Sequence, residues 1–354
     1  MTFAEVMANA RRARKATGKP VIAQLSDIVK LRMGPQKLMA DEYFDLRLFE
    51  PRLSWSERAQ FLGKWTEEDV FRILDEDDRS RAKDKLSLYR TLVEADLPHP
   101  RMLAIFDPQE TFPKARQLGS AVALASWLRT EAAYPLFSKP ARGGGGKHAY
   151  LIERADGDHL VFGDGTRHAI QDFANAHDPV ARGPLLFQEV MRPHPKVAEL
   201  TGGRLATARM QVIFDRDEPD LWRASVRIPT GDNMVDTFHG GRFGNLIVRL
   251  DLETGAFVET LGLVQIERQR VEVHPDTGQA LDGFVLPDWN EAIALLKAGH
   301  MLFRKLKFAG WDMAFTDRGP MLVECNPRGS YLQYAGWPGM ATPRFRALYP
   351  DGRI

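Results

Sequence analysis

Two runs near the end of the chain, Gly310-Trp311-Asp312 and Met321-Leu322-Val323-Glu324-Cys325-Asn326-Pro327-Arg328, decide how the rest is read. Asp312 lies in a short apolar segment, Trp311 to Phe315, and Asp317-Arg318-Gly319-Pro320 has the composition of a turn. Met321 to Asn326 then reads as a second strand. Side chains alternate faces along a strand, so Glu324 and Asn326 point one way and Val323 and Cys325 the other. A hairpin brings Asp312 beside the Glu324 and Asn326 pair. Two carboxylates and an amide oxygen make a hard-oxygen set suited to Mg²⁺, an ion that keeps waters and takes up substrate phosphates. On spacing alone, an ordinary hairpin with a solvated acidic face reads the same.

Working back along the chain, Tyr134-Pro135-Leu136-Phe137-Ser138-Lys139-Pro140-Ala141-Arg142 leads into Gly143-Gly144-Gly145-Gly146-Lys147-His148 and then Ala149-Tyr150-Leu151-Ile152. The pattern is strand, glycine-rich loop, strand. Consecutive glycines let backbone N–H groups approach phosphate oxygens, and Lys147 and Arg142 add positive charge. A P-loop would need glycine where Ala141 stands and Ser or Thr where His148 stands. The dinucleotide fingerprint fails too, because the glycines are consecutive and a strand follows rather than a helix. Taken alone, the run also reads as a flexible hairpin tip. Lys139 adds a reason for the first reading, because an ammonium in an apolar strand needs an anionic partner, and a nucleotide phosphate is one.

Pro184-Leu185-Leu186-Phe187-Gln188-Glu189-Val190 reads as a third apolar strand that ends in polar residues, an edge able to present backbone groups and a carboxylate to an adenine. The same pattern describes any strand entering a loop. A hairpin follows, Leu205 to Phe214 and Leu221 to Pro229. Alternation places Thr207, Arg209 and Gln211 on one face and Met210, Val212 and Phe214 on the other. In the second arm Arg223, Ser225 and Arg227 share a face, opposite Trp222, Val226 and Ile228. One side joins a core. The other offers arginines to an anion or to solvent.

In this order the motifs resemble the ATP-grasp superfamily over roughly residues 80 to 340, starting at Lys83-Asp84-Lys85 and the helical run to Ala95. Within it the chain most resembles the sugar-transfer-associated ATP-grasp group, which is related to alpha-L-glutamate ligases. That narrower match rests on Phe187-Gln188-Glu189, His194-Pro195, Thr207-Ala208-Arg209, Val235-Asp236-Thr237-Phe238-His239-Gly240-Gly241, Gly310-Trp311-Asp312 and Glu324-x-Asn326-Pro327-Arg328.

The resemblance implies an α+β fold in which two α+β subdomains with antiparallel sheets grip ATP, preceded by a helical N-terminal region. The division it implies is 1–79 helical, 80–182 with the glycine-rich flap, and 183–345 with the adenine edge, arginine hairpin and metal site. Lys85 and Lys139 would contact the α- and β-phosphates, and Gly143, Gly144, Gly145 and Gly146 would close over the γ-phosphate. Gln188, Glu189 and Val190 would meet the adenine, while Asp312, Glu324 and Asn326 would hold one or two Mg²⁺ ions. Arg209, Arg227 and Lys139 form the catalytic set, stabilising charge on the transferring phosphoryl and the later adduct. The chain departs from the pattern at the ribose-binding carboxylate. Where that acid is expected stands Pro193-His194-Pro195-Lys196, and Glu199 is the nearest acid.

Composition sets the surroundings. With 354 residues the chain has length for two or three domains with substantial cores. Lys plus Arg total 48 against 47 for Asp plus Glu, a balance that argues against a nucleic-acid binder. The single Cys325 excludes an intrachain disulfide. No apolar run reaches the roughly 18 residues of a membrane span, and a signal-peptide apolar region is missing. The expectation is a soluble cytoplasmic enzyme.

Residues 3–17 read as a basic helix stopped at Gly18-Lys19-Pro20, and 21–33 and 36–50 suggest more helix. These helices either pack with a solvated face or touch an anionic membrane or polymeric substrate. Trp65-Thr66-Glu67-Glu68-Asp69 opens another, with Thr66 as candidate N-cap. Residues 251–283 carry two turn signals and read as a β excursion in which Arg268 and Arg270 lie within possible reach of the site. From 289 to 307 a helix is marked by a capping box, Asp288-x-x-Glu291, with Gly310 beyond its end and His300 as a packing residue.

Three functions compete on this evidence. An ATP-dependent, ADP-forming carboxylate–amine ligase activates a small-molecule carboxylate as an acyl phosphate and needs metal, lysines and arginines but no dedicated nucleophile. A phosphotransferase acting on a sugar or small alcohol favours a general base, for which Asp236 and His239 are the candidates. The third is a nucleotide-binding regulator or scaffold with a retained but inactive site, against which intact Lys139, Asp312, Glu324 and Asn326 argue.

Overall fold

The computed structural model describes residues 1–143, 148–231, 244–264, 266, 268–329 and 332–349. Two seven-stranded sheets organise it. The first contains β1 Met102–Phe106, β2 Arg116–Leu118, β3 Leu136–Pro140, β4 Tyr150–Asp156, β5 His159–Phe162, β6 Arg167–Ala169 and β7 Leu185–Glu189, in the order β2-β1-β7-β3-β4-β5-β6. Its β1–β2 pair is parallel and the rest are antiparallel. Because β7 lies between β1 and β3, a division of the chain by sheets falls after Glu189, not before Gly183.

The second sheet contains β8 Thr207–Ile213, β9 Asp220–Ile228, β10 Leu246–Leu250, β11 Phe257–Val264, β12 Arg268–Arg270, β13 Phe308–Thr316 and β14 Gly319–Asn326. Its order is β12-β11-β10-β9-β8-β13-β14, every neighbour antiparallel. The strand bearing Asp312 thus sits inside the sheet, paired with β8 on one side and β14 on the other, and is buried along its length. Central position and burial explain why it reads as a nearly continuous apolar run rather than an alternating one.

Helices Ala121–Thr130 and Ile170–Ala176 cover one face of the first sheet through Leu124, Leu128 and Ile170 against Phe106, Leu136 and Phe187. Helix Trp289–Met301 covers the second sheet, with Leu296 against Trp311 and Met313. Helix Lys85–Glu94 joins the two sheets. Asp84 caps it by accepting from Ser87 N, and its Leu88, Tyr89 and Leu92 share a core with Ile105 and Leu186 of the first sheet and Trp311 and Leu322 of the second. It is therefore a wall of whatever lies between the sheets.

The N-terminal helices Phe3–Thr17 and Val21–Met33 form where the sequence places them. Thr2 and Glu5 make a capping box, and Gly18, at φ 80°, supplies the left-handed C-cap. Instead of one helix over 36–50 the chain has only Ala40–Asp45, because Lys37 and Arg47 both take positive φ and break the helical path on either side. Helix Lys64–Ile73 starts at Gly63 rather than Thr66. Thr66 is buried in its first turn and donates to Gly63 O, while a Cβ on Gly63 would stand 2.7 Å from Lys37 O. The Asp288 capping box does not form either. Asp288 is itself left-handed and its side chain caps nothing, and the helix ends at Met301, so Gly310 falls inside β13.

Two bulges revise the strand faces. The β8–β9 register slips between Gln211 and Val212, and Trp222 is turned to pack on Phe308 and Phe345, away from the core side that Val226 and Ile228 occupy. The β13–β14 register slips after Asp312, so Leu322 joins Cys325 in the core.

Candidate active site

Register assembles the site. Reading across the second sheet from β14 to β11, Glu324 pairs with Asp312, Asp312 with Arg209, Arg209 with Ser225, Ser225 with Arg249, and Arg249 with Glu259. Residues opposite one another in a ladder share a face. Six strands therefore bring five charged side chains and one serine into one line. The flanking rung carries Asn326, Gly310, Gln211 and Arg223.

Asp312 is the centre of that line. Arg209 donates to it twice, Nε to Oδ1 and Nη2 to Oδ2 at 3.0 Å, and Arg227 Nη2 lies 3.3 Å from Oδ2. Arg227 also donates to Thr207 Oγ1 at 2.7 Å. Burial alone would raise the Asp312 pKa, but the charges and hydrogen bonds of Arg209 and Arg227 outweigh it and hold the carboxyl below its ordinary range. Oδ2 takes two donors and Oδ1 one. A carboxylate offers about four lone-pair directions, so Oδ1 retains capacity for a further ligand.

Gly310 makes this arrangement possible. A Cβ there would stand 2.6 Å from Gly329 O and 2.9 Å from Arg209 Cδ. Any side chain would displace either the arginine or the backbone just after Arg328.

Lys85 stands between the flap and the acidic pair. It is buried, donates to Gly143 O at 3.0 Å, and lies 3.3 Å from Glu324 Oε1. Lys139 is also buried, 8% exposed, with its Nζ 2.9 Å from Tyr89 Oη and over the Tyr89 and Phe137 rings. Tyr89 Oη in turn donates to Val323 O at 2.7 Å. A lysine of the first sheet is thus tied through one hydroxyl to the strand that carries Glu324 and Asn326. Sequence reasoning did not single out Tyr89. Its signal was the helical spacing, since Tyr89 follows Lys85 by four residues on the same face.

Among the described residues no carboxylate lies within ion-pair distance of Lys139. A buried ammonium with a phenol as its hydrogen-bond partner is well matched to an anionic ligand. The Asn326 Nδ2 is likewise buried without a partner. Among the described residues no three His, Cys, Asp or Glu side chains gather as a metal set. A Mg²⁺ ion would therefore be held by Asp312 and Glu324 with the Asn326 amide, the rest of its shell coming from waters and phosphates. On these observations the residues fit both groups.

Gln188, Glu189 and Val190, the residues expected at an adenine, are spread along β7 and its end. Gln188 is buried and donates weakly to Pro100 O, at 3.5 Å. Glu189 accepts from Arg101 N at 3.1 Å and from Arg318, in the β13–β14 turn, so it bridges the first sheet to the second. Val190 is half-buried beyond the strand. Glu199 is exposed on helix Pro195–Thr201, whose Val197 and Leu200 enter the core, and among the described residues it makes no hydrogen bond or ion pair with the other candidates. Cys325 faces the core, where burial first and the Glu324 charge second push its thiol well above the ordinary range. His300 donates from Nε2 to Leu306 O, accepts from Trp311 Nε1 at Nδ1, and is a packing residue. Arg270 pairs with Asp282. Gly144, Gly145, Gly146 and Lys147, the Val235–Gly241 motif with Asp236 and His239, and the Arg268 side chain lie outside the described residues.

Two sheets joined by a helix, with buried lysines facing an acidic and arginine-bearing rung, define an ATP-grasp architecture. The sequence model of the sugar-transfer associated ATP-grasp family matches residues 72–341, and the chain belongs to that family. No curated protein matches it. Solved structures similar to it include an L-amino acid ligase from Bacillus licheniformis, 11% identical over 77% of this chain and 49% of that one, TM-score 0.40. The D-Ala:D-Ser ligase VanG from Enterococcus faecalis is 12% identical over 76% of this chain and 57% of that one, TM-score 0.38. The biotin carboxylase domain of the Hydrogenobacter thermophilus 2-oxoglutarate carboxylase, in complex with MgADP, ADP and bicarbonate, is 12% identical over 71% and 41%, TM-score 0.38. The chain spans about half the length of these proteins.

Proposed function

We propose that this chain is an ATP-dependent, ADP-forming carboxylate–amine ligase acting on small-molecule or saccharide-linked substrates. The observation that carries the reading is the rung in which Glu324 and Asp312 stand directly beside Arg209, with Arg227 closing on the same carboxylate. Bound Mg²⁺ would neutralise phosphate charge and orient the γ-phosphate. The chain's own groups do the rest. Lys85 and Lys139 hold the phosphates, and the buried position of Lys139 makes that contact strong because water does not compete. Gln188, Glu189 and Val190 form the adenine edge, Glu199 is the candidate at the ribose, and Gly143 begins the flap.

Arg209 and Arg227 are held rigidly by Asp312 before any substrate arrives. Preorganised cations stabilise the negative charge that grows as the carboxylate attacks the γ-phosphorus and, later, as the amine adds to the acyl phosphate. The amine displaces phosphate without a protein nucleophile, which agrees with Cys325 being buried on the opposite face.

Incubation with ATP, Mg²⁺, candidate carboxylates and hydroxylamine tests the reading. A hydroxamate with release of ADP and phosphate is expected. A stable phosphorylated alcohol with no free phosphate would instead make the protein a kinase.

A further inference from the structure

Helix Val21–Met33 belongs to the N-terminal core, yet its outward face is apolar. Gln24 and Leu31 turn inward, Gln24 donating to Ala10 O and Lys19 O. Outward stand Ile22, Val29 and Met33, exposed by 80%, 60% and 82%. At 3.6 residues per turn, their spacings of seven and four place all three within about 40° of one another. Ser26 is also exposed on this stripe. Lys30 and Arg32, both exposed, fall about 80° to either side of it. Single exposed apolar residues are ordinary, but a stripe of three with a cation on each flank is not.

The surrounding chemistry selects the occupant. The helix has one acid, Asp27, which points away from the stripe and is taken by Lys19 and Tyr43. Among the described residues neither Lys30 nor Arg32 has a carboxylate partner. Trp55, itself 44% exposed, lies beside the stripe with Lys30 Nζ 5.4 Å from its ring centroid. Two copies of the chain meeting at this stripe would crowd like charges around an apolar seam. An anionic lipid surface supplies the opposite charge, an apolar layer for the stripe, and the interfacial zone in which Trp and Lys sit favourably.

We propose that this face docks on the surface of an anionic bilayer, the helix lying in the interfacial plane. No described helix is long and apolar enough to cross one. The N-terminal core that holds this helix through Leu31 also contains Ile266 and is tied to the rest of the chain. Leu62 and Gln333 exchange two hydrogen bonds, and Arg47 donates to Ile266 O. Membrane attachment would therefore position the site as well as the helices, whichever reaction the site performs.

Sedimentation of the full chain with vesicles tests the proposal, using phosphatidylcholine alone and an equimolar phosphatidylcholine–phosphatidylglycerol mixture. Binding to the mixture is expected to exceed binding to phosphatidylcholine by about tenfold and to weaken with salt. Ile22→Ser/Val29→Ser/Met33→Ser should lose binding to the mixture. Lys30→Glu/Arg32→Glu should abolish the preference for it. The substituted side chains are exposed, so ATP affinity and thermal midpoint serve as controls for folding. Equal sedimentation of wild type and both variants overturns the proposal. So does a dimer by light scattering that the triple variant breaks, since the stripe is then covered by a second copy.

Discussion

Arg209 grips Asp312 through both carboxylate oxygens across one rung of the second sheet. The pair is almost closed to water, with side chains 10% and 7% exposed, so neither charge is screened. On the proposed reading, a metal held by Asp312 would share its carboxylate with the arginine. Truncating Asp312 would take the carboxylate from the buried Arg209 and the half-buried Arg227 and cost about 3–5 kcal/mol of stability. Asp312→Asn keeps the shape and one acceptor. We expect it to fold with a lowered melting temperature, and turnover at saturating Mg²⁺ to be nearly abolished. Wild-type kcat in this variant would remove Asp312 from the site.

Arg209→Ala separates binding from chemistry. On the proposed ligase reading its guanidinium would meet charge that develops during the reaction, so kcat should fall by about 10²–10³ with a smaller change in ATP affinity. Steady-state kinetics beside calorimetric titration with ATP distinguishes this outcome from simple loss of nucleotide binding.

Lys139 and Tyr89 should act as a unit. On the proposed reading Lys139→Ala is expected to weaken ATP binding by about 2–5 kcal/mol, because a buried charge-assisted contact to phosphate would be lost. Tyr89→Phe leaves the ammonium without its phenol partner and Val323 O without its donor. It should lower stability by about 1–3 kcal/mol while reducing ATP affinity less than Lys139→Ala does. Additive effects in the double variant would refute the coupling.

Gly310→Ala probes the space under Arg209. The added methyl meets Gly329 O and the Arg209 side chain well inside contact distance. A stability loss of about 1–3 kcal/mol is expected, with activity falling further than stability alone explains, because Arg209 must shift. Unchanged kcat would show that the arginine position is not critical.

Stability should fall in mildly acidic solution through His300. Burial lowers its pKa from 6.5 to about 4 in the folded chain. The unfolded chain therefore binds the proton first, and stability that is present above pH 6.5 is lost as the pH falls towards about 4. Urea midpoints across that window should decline in wild type, and His300→Gln should flatten the decline.

Much of the fold was legible because its signals are local. Alternation marked β8, β9 and β14, the consecutive glycines separated two strands, and Gly18-Lys19-Pro20 marked the end of the first helix. Helix ends were misread where a long-range contact decided them. Gly63 replaces Thr66 as a cap because the Lys37 backbone passes too close for a side chain, and Asp288 sits in a left-handed conformation that its composition does not announce.

By itself the sequence determined the faces of unbroken strand runs, Thr207 with Arg209 and Glu324 with Asn326 among them, while the bulges at Trp222 and after Asp312 escaped it. Only the tertiary structure decided their partners. It placed β13 between β8 and β14, set Asp312 against the arginines, sent Lys85 to Glu324, and linked Lys139 through Tyr89 to Val323. The reason is physical: alternation is a property of a few consecutive residues, whereas strand order and register follow from burying whole faces against one another.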